Sequence, residues 1–148
     1  MVRSFLIILT SFVFALSCKP EAGSGALDWK AIEDGNLGSI ESYLEKGGDP
    51  GARHSGPTGW QLLHFAARWG QKDVVEKLLQ HGARVDATTS DGWTPLFFAS
   101  MNGHMATVQL LLSKGASAKA RASDGSSILD IADGAQIEEI LTQAGATR

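Results

Sequence analysis

Apolar residues recur along the chain in short stripes with helical spacing, and glycines separate the stripes. One stripe has apolar residues at i, i+1, i+4 and i+5: Val74, Val75, Leu78 and Leu79. This spacing predicts an amphipathic helix that buries one side. Glycines follow such stripes at Gly82, Gly115 and Gly145. A left-handed residue often ends a helix there, and a side chain would disfavour that conformation. The pattern predicts short helices that end at glycines.

The pattern repeats at an offset of 33 in its central copies, as Trp60 and Trp93 show, and likewise Gly82 and Gly115. A third copy begins near Gly125 and is shortened by three residues, and a degenerate copy lies upstream at an offset of 35. No unit of this size buries its apolar stripe alone, so neighbouring units must stack. We therefore expect a repeat domain over 27–148, with units at about 27–57, 58–90, 91–123 and 124–148.

The segment Gly92-Trp93-Thr94-Pro95-Leu96-Phe97-Phe98-Ala99 resembles the TPLHxA signature of ankyrin repeats, and residues 59–67 match it more loosely. Thr94 is a suitable helix N-cap, and Pro95 suits the first helical position. The resemblance implies an all-α solenoid of about four helix-turn-helix units, joined by β-hairpin turns and closed by degenerate terminal caps. It also implies binding of proteins. Phe97 departs from the family pattern, which has histidine at this position.

The segment 1–26 lacks the repeat. Arg3 precedes an apolar run from Phe5 to Leu16, and this order is typical of an export signal. The run is too short to cross a bilayer, which takes roughly 20 residues. We expect a signal peptide at 1–17 and a flexible tether at 18–26.

The segment that ends at Cys18 resembles the lipobox of bacterial lipoproteins, and the whole chain resembles bacterial exported ankyrin-repeat lipoproteins. We therefore expect Cys18 to carry a lipid that anchors the protein to a membrane in the cell envelope or periplasm. The alternative is a soluble secreted protein that is cut nearby.

Composition limits the chemistry. The net charge of −3 argues against nucleic-acid binding, which needs a basic surface. One cysteine cannot form an internal disulfide. The histidines lack the close spacing of a metal site and are expected to be structural or exposed: His54, His64, His81 and His104. We predict a non-catalytic protein without cofactor or metal. An enzyme or ligand-binding protein with an unrecognised site, and a self-associating structural component of the envelope, stay open as alternatives.

Large side chains occupy positions that the repeat core does not require. By helical phase they should point to the concave face or the hairpin tips and bind a protein partner: Trp60, Phe65, Arg68, Trp69, Trp93, Phe98, Met101 and Asn102. Exposed aromatic clusters of this kind are typical of interfaces. On this interpretation the domain is a monomer, and replacing Trp93 and Phe98 removes binding with little effect on unfolding. Alternatively, these rings pack against the hairpins or the neighbouring unit.

Overall fold

The computed structural model describes residues 29–148. The predicted signal peptide at 1–17, the tether at 18–26 and Cys18 lie outside the described residues. Eight helices form within this part of the chain: α1 (Trp29–Glu33), α2 (Leu37–Glu45), α3 (Leu62–Arg68), α4 (Lys72–Gln80), α5 (Pro95–Met101), α6 (Met105–Ser113), α7 (Ile128–Ile131) and α8 (Ala135–Gln143). Each expected unit contains one helix pair, in which the first helix is called inner and the second outer.

The helices form two layers. The inner helices α1, α3, α5 and α7 contact one another in order, and the outer helices α2, α4, α6 and α8 do the same. The buried core lies between the layers and includes Val74, Val75 and Leu78, whereas Leu79, predicted to be buried, is half-buried. The all-α repeat solenoid is confirmed.

Hairpin turns connect successive units. Within residues 29–148 they carry only the isolated antiparallel bridges Arg53–Gln61 and Arg121–Ser127. Neighbouring hairpins also bond to each other, because the Ser90 N–H donates to the Thr58 carbonyl at 3.0 Å and the Ser123 N–H donates to the Asp91 carbonyl at 2.8 Å. These bonds continue the stacking of the helices into the hairpins.

A second set of bonds joins the inner helices to the next unit. The His104 side chain donates from Nε2 to the Arg68 carbonyl at 2.9 Å. Gln71, the equivalent residue of the preceding unit, donates from Nε2 to the Glu33 carbonyl at 3.3 Å. The His104 ring lies over Gly70, where a Cβ would come within 2.5 Å of Nδ1. Gly70 also has a φ of 65°. Glycine is therefore required both for the turn and for the close approach.

The N-terminus of α5 differs from the sequence prediction. Pro95 occupies the first turn as expected, but the Thr94 side chain makes no capping bond. Its hydroxyl is buried and has no hydrogen-bond partner among the described residues. In the preceding unit the Gln61 N–H, at the equivalent cap position, donates to Nδ1 of His64 at 3.0 Å. Phe97 has no nitrogen to take that role, so this cap arrangement is lost.

His64 is a structural residue, as expected. Its ring is fully buried; Nδ1 accepts from Gln61, and Nε2 donates to the Ala87 carbonyl at 2.9 Å. Both ring nitrogens are thus satisfied in one neutral tautomer. Burial lowers the pKa of His64 below its ordinary value of 6.5.

Across residues 29–148, the helices are too short or too polar for any of them to cross a membrane.

We expect the protein to lose stability in mild acid through His64. The pKa of His64 is lowered in the folded state, so the unfolded chain takes up a proton more readily. The contribution is fully present above about pH 6.5 and is lost as the pH falls from there through the folded-state pKa. Urea denaturation at about pH 7.5 and about pH 5.5 measures it. His64→Phe, which copies the next unit, should lose less free energy of unfolding between the two pH values than the wild type. An equal loss in both would contradict the assignment.

Candidate protein-interaction face

A continuous series of ring contacts crosses the first three units, and we call its five residues the aromatic ladder: Trp29, Phe65, Trp60, Phe98 and Trp93. The ring centroids lie 5.3 Å apart for Trp29–Phe65, 4.9 Å for Phe65–Trp60, 4.4 Å for Trp60–Phe98 and 5.5 Å for Phe98–Trp93. These distances are typical of favourable aromatic pairs. The ladder therefore ties the hairpins to the inner helices.

The ladder overturns part of the expected binding surface. Phe98 is only 4% exposed, because it lies between Trp60 and Trp93 from two successive hairpins. The expectation that Phe98 lies at the surface is wrong. Trp60, Trp93 and Phe65 are half-buried and pack against the core. These rings pack against the hairpins and the neighbouring unit, as the alternative interpretation in the sequence analysis predicts.

Two aromatic residues of this cluster are not predicted by the sequence pattern: Trp29, which belongs to the ladder, and His54, which contacts it. Their rings meet edge to face at 5.0 Å, and both contact Phe65. Trp29 precedes His64 by the same offset that relates the degenerate first copy to the second. Applying that offset to His64 would have identified Trp29 as the equivalent residue in the first unit.

The remaining predicted residues lie at the C-terminal ends of two inner helices, and we call them the helix-end patch: Arg68, Trp69, Met101 and Asn102. Trp69 is 48% exposed, and within residues 29–148 it is the one large hydrophobic residue that is exposed. Asn102, at the equivalent position one unit further, is also exposed, whereas Arg68 and Met101 are half-buried. The Asn102 amide donates to the Phe98 carbonyl at 2.7 Å, which holds its side chain in place.

The Arg68 guanidinium lies close to two indole rings. Its Cζ is 5.4 Å from the centroid of Trp60 and 5.9 Å from that of Trp69. Both distances fall within the range of cation–π attraction, about 6 Å. Arg68 thus contacts both the ladder, through Trp60, and the exposed Trp69. The patch combines a half-buried cation with an accessible aromatic surface.

Across residues 29–148, no group of three or more His, Cys, Asp or Glu side chains is placed to hold a metal ion. The absence of a cofactor and of catalysis stays a prediction.

The fold agrees with comparisons to known proteins. The family described as "Ankyrin repeats (3 copies)" matches residues 29–122, so the chain belongs to the ankyrin repeat family. Such repeats generally mediate protein–protein interaction and are generally non-catalytic.

Two relatives illustrate the similarity. Ankyrin repeat domain-containing protein 39 of Homo sapiens is 38% identical over 61 residues, which cover 41% of this chain and 32% of the relative. The 2-5A-dependent ribonuclease of Mus musculus is 41% identical over 54 residues, which cover 36% of this chain and 7% of the relative. The aligned segments span a third or less of each relative.

Phe98 and Trp69 should differ in their effect on stability. Phe98→Ala removes a buried ring from the ladder and should lower the free energy of unfolding by about 3–5 kcal/mol. Trp69→Ala removes a half-exposed ring and should cost less than about 1 kcal/mol. Urea denaturation of the two variants at neutral pH measures the difference. Equal losses would contradict the division into ladder and patch.

Proposed function

We propose that the protein is a non-catalytic interaction module that is displayed outside the cytoplasm on a lipid anchor and binds a protein partner through the helix-end patch. One observation carries the proposal: Trp69 is exposed beside the guanidinium of Arg68, which also lies within cation–π distance of Trp60. Tryptophan and arginine are the residue types that most often dominate binding energy at protein interfaces.

Rigidity supports this role for the patch. Arg68 contacts the Trp60 ring, and the Asn102 side chain is held by its bond to the Phe98 carbonyl. The backbone beneath the patch is held by the bond from His104 to the Arg68 carbonyl. A surface that is ordered before binding loses little conformational entropy when the partner docks, so more of the contact energy appears as affinity.

The proposed location is the cell envelope or periplasm, and it rests on the sequence of the segment 1–26. The charge, apolar run and small residues of 1–17 are typical of an export signal. Cys18 follows that signal within a lipobox-like segment, and acyl chains supply membrane affinity through each buried methylene group. A tether of this length reaches roughly 15 Å, which places the repeat domain just clear of the lipid headgroups.

The interface can be tested by affinity capture from a bacterial envelope extract, quantified by mass spectrometry. Trp69→Ala should reduce recovery of the partner at least about tenfold, in line with the loss of an interface hot spot. Gln109→Ala, at an exposed position on the outer helix α6, serves as the matched control and should leave recovery unchanged. Equal recovery with wild type and Trp69→Ala would rule out the patch as the interface.

The anchor can be tested by expressing the full chain in a bacterium and separating membranes in a phase-forming detergent. The wild type should enter the detergent phase, because acyl chains on Cys18 bind it. Cys18→Ser should stay in the aqueous phase, and intact mass spectrometry should show the loss of the lipid. Finding the wild type in the aqueous phase without added mass would favour the soluble secreted alternative.

A further inference from the structure

The arginines differ in what their side chains contact. Within residues 29–148, Arg53 and Arg121 donate from Nη1 to the carbonyls of Gly59 and Gly125, at 3.1 Å and 3.0 Å. Arg148 pairs with Glu138 at 3.4 Å. In the same part of the chain, Arg68 and Arg84 have no carboxylate or carbonyl partner. Arg84 is exposed, whereas Arg68 is half-buried beside two rings.

Because no acceptor within residues 29–148 bonds to it, the Arg68 guanidinium is available to donate hydrogen bonds to a bound partner. The two indole rings attract its cation, but no carboxylate or carbonyl of the described residues accepts a hydrogen bond from its N–H groups. A planar guanidinium matches a carboxylate in two parallel hydrogen bonds. Partial shielding from water by the rings strengthens such a bond. The group therefore favours a carboxylate that arrives from outside the chain.

The equivalent residues of the two neighbouring units supply no ion-pair partner for Arg68 within the described residues. In the first unit, Asp34 is equivalent to Trp69 and is paired with Lys30 at 3.3 Å. Glu33 is equivalent to Arg68, and no ion pair joins Glu33 to Arg68 within the described residues. In the third unit the equivalent residues, Met101 and Asn102, carry no charge. Within residues 29–148, no acidic side chain pairs with Arg68.

We infer that the helix-end patch recognises an aspartate or glutamate side chain of its protein partner, with an apolar side chain beside it. The carboxylate pairs with Arg68, and the apolar neighbour packs on Trp69. This inference rests on the proposed function and specifies the partner's chemistry.

The test uses the purified full chain and a phage-displayed library of random peptides as the probe. Selected peptides should share an acidic residue next to an apolar one, and their binding should depend on Trp69. In a synthetic copy of a selected peptide, replacing the acid with its amide should weaken binding about tenfold or more. Arg68→Gln should weaken it by a similar factor, and combining both changes should add little further loss.

Arg84→Gln is the matched control, because it removes the same charge from an arginine without a partner and without flanking rings. It should change affinity by less than about twofold, since exposed charges at a distance are screened by salt. Thermal unfolding followed by circular dichroism should show that Arg68→Gln is folded. Arg68→Lys should restore only part of the affinity, because an ammonium group cannot form the two parallel bonds.

Two results would overturn the inference, and they differ in meaning. Peptides that bind through Trp69 but contain no shared acid, or that bind Arg68→Gln as well as the wild type, would refute the carboxylate specificity and leave the proposed interface standing. Failure to select any peptide that depends on Trp69 would contradict both the inference and the proposed interface.

Discussion

The fold depends on contact between neighbouring units, because none of them can cover its own apolar stripe. Inner helices contact inner helices, outer helices contact outer helices, and hairpins bond to hairpins. The aromatic ladder adds a third line of contact across the first three units. Each unit is therefore stable only beside its neighbour, as expected for a repeat protein. The same contacts position the helix-end patch, so the proposed recognition surface depends on the contacts that stabilise the fold.

The regular offset between units was sufficient to predict the fold. It locates the helix pairs, and it identifies the glycines with positive φ at the helix ends, such as Gly82 and Gly115. These features are local and repeat with the chain. Burial of large rings was less predictable, because it depends on how far each hairpin folds over the inner helix. Helical phase predicts that Phe98 lies at the surface, yet two hairpin tryptophans pack against its ring.

The departure of Phe97 from the repeat pattern also made the N-cap of α5 hard to predict. His64 and Phe97 occupy equivalent positions, but only the histidine can accept an N–H bond from the cap residue. Thr94 was expected to act as a cap because of its residue type, and the structure leaves its hydroxyl without a partner in the described part of the chain. Side-chain bonds of this kind depend on a residue three positions away. The candidate site behaved similarly: Trp69 and Asn102 lie exposed as expected, whereas the ladder rings proved to be packing residues.

The division between ladder and patch gives the protein two kinds of fluorophore. Of its four tryptophans, Trp29, Trp60 and Trp93 are held within the ladder, and Trp69 is open to solvent. Emission from the half-buried ladder indoles reports on the packing between units, while emission at longer wavelength from Trp69 should respond to a partner that covers it. Intrinsic fluorescence should therefore separate unfolding from docking of the proposed partner in the unlabelled protein.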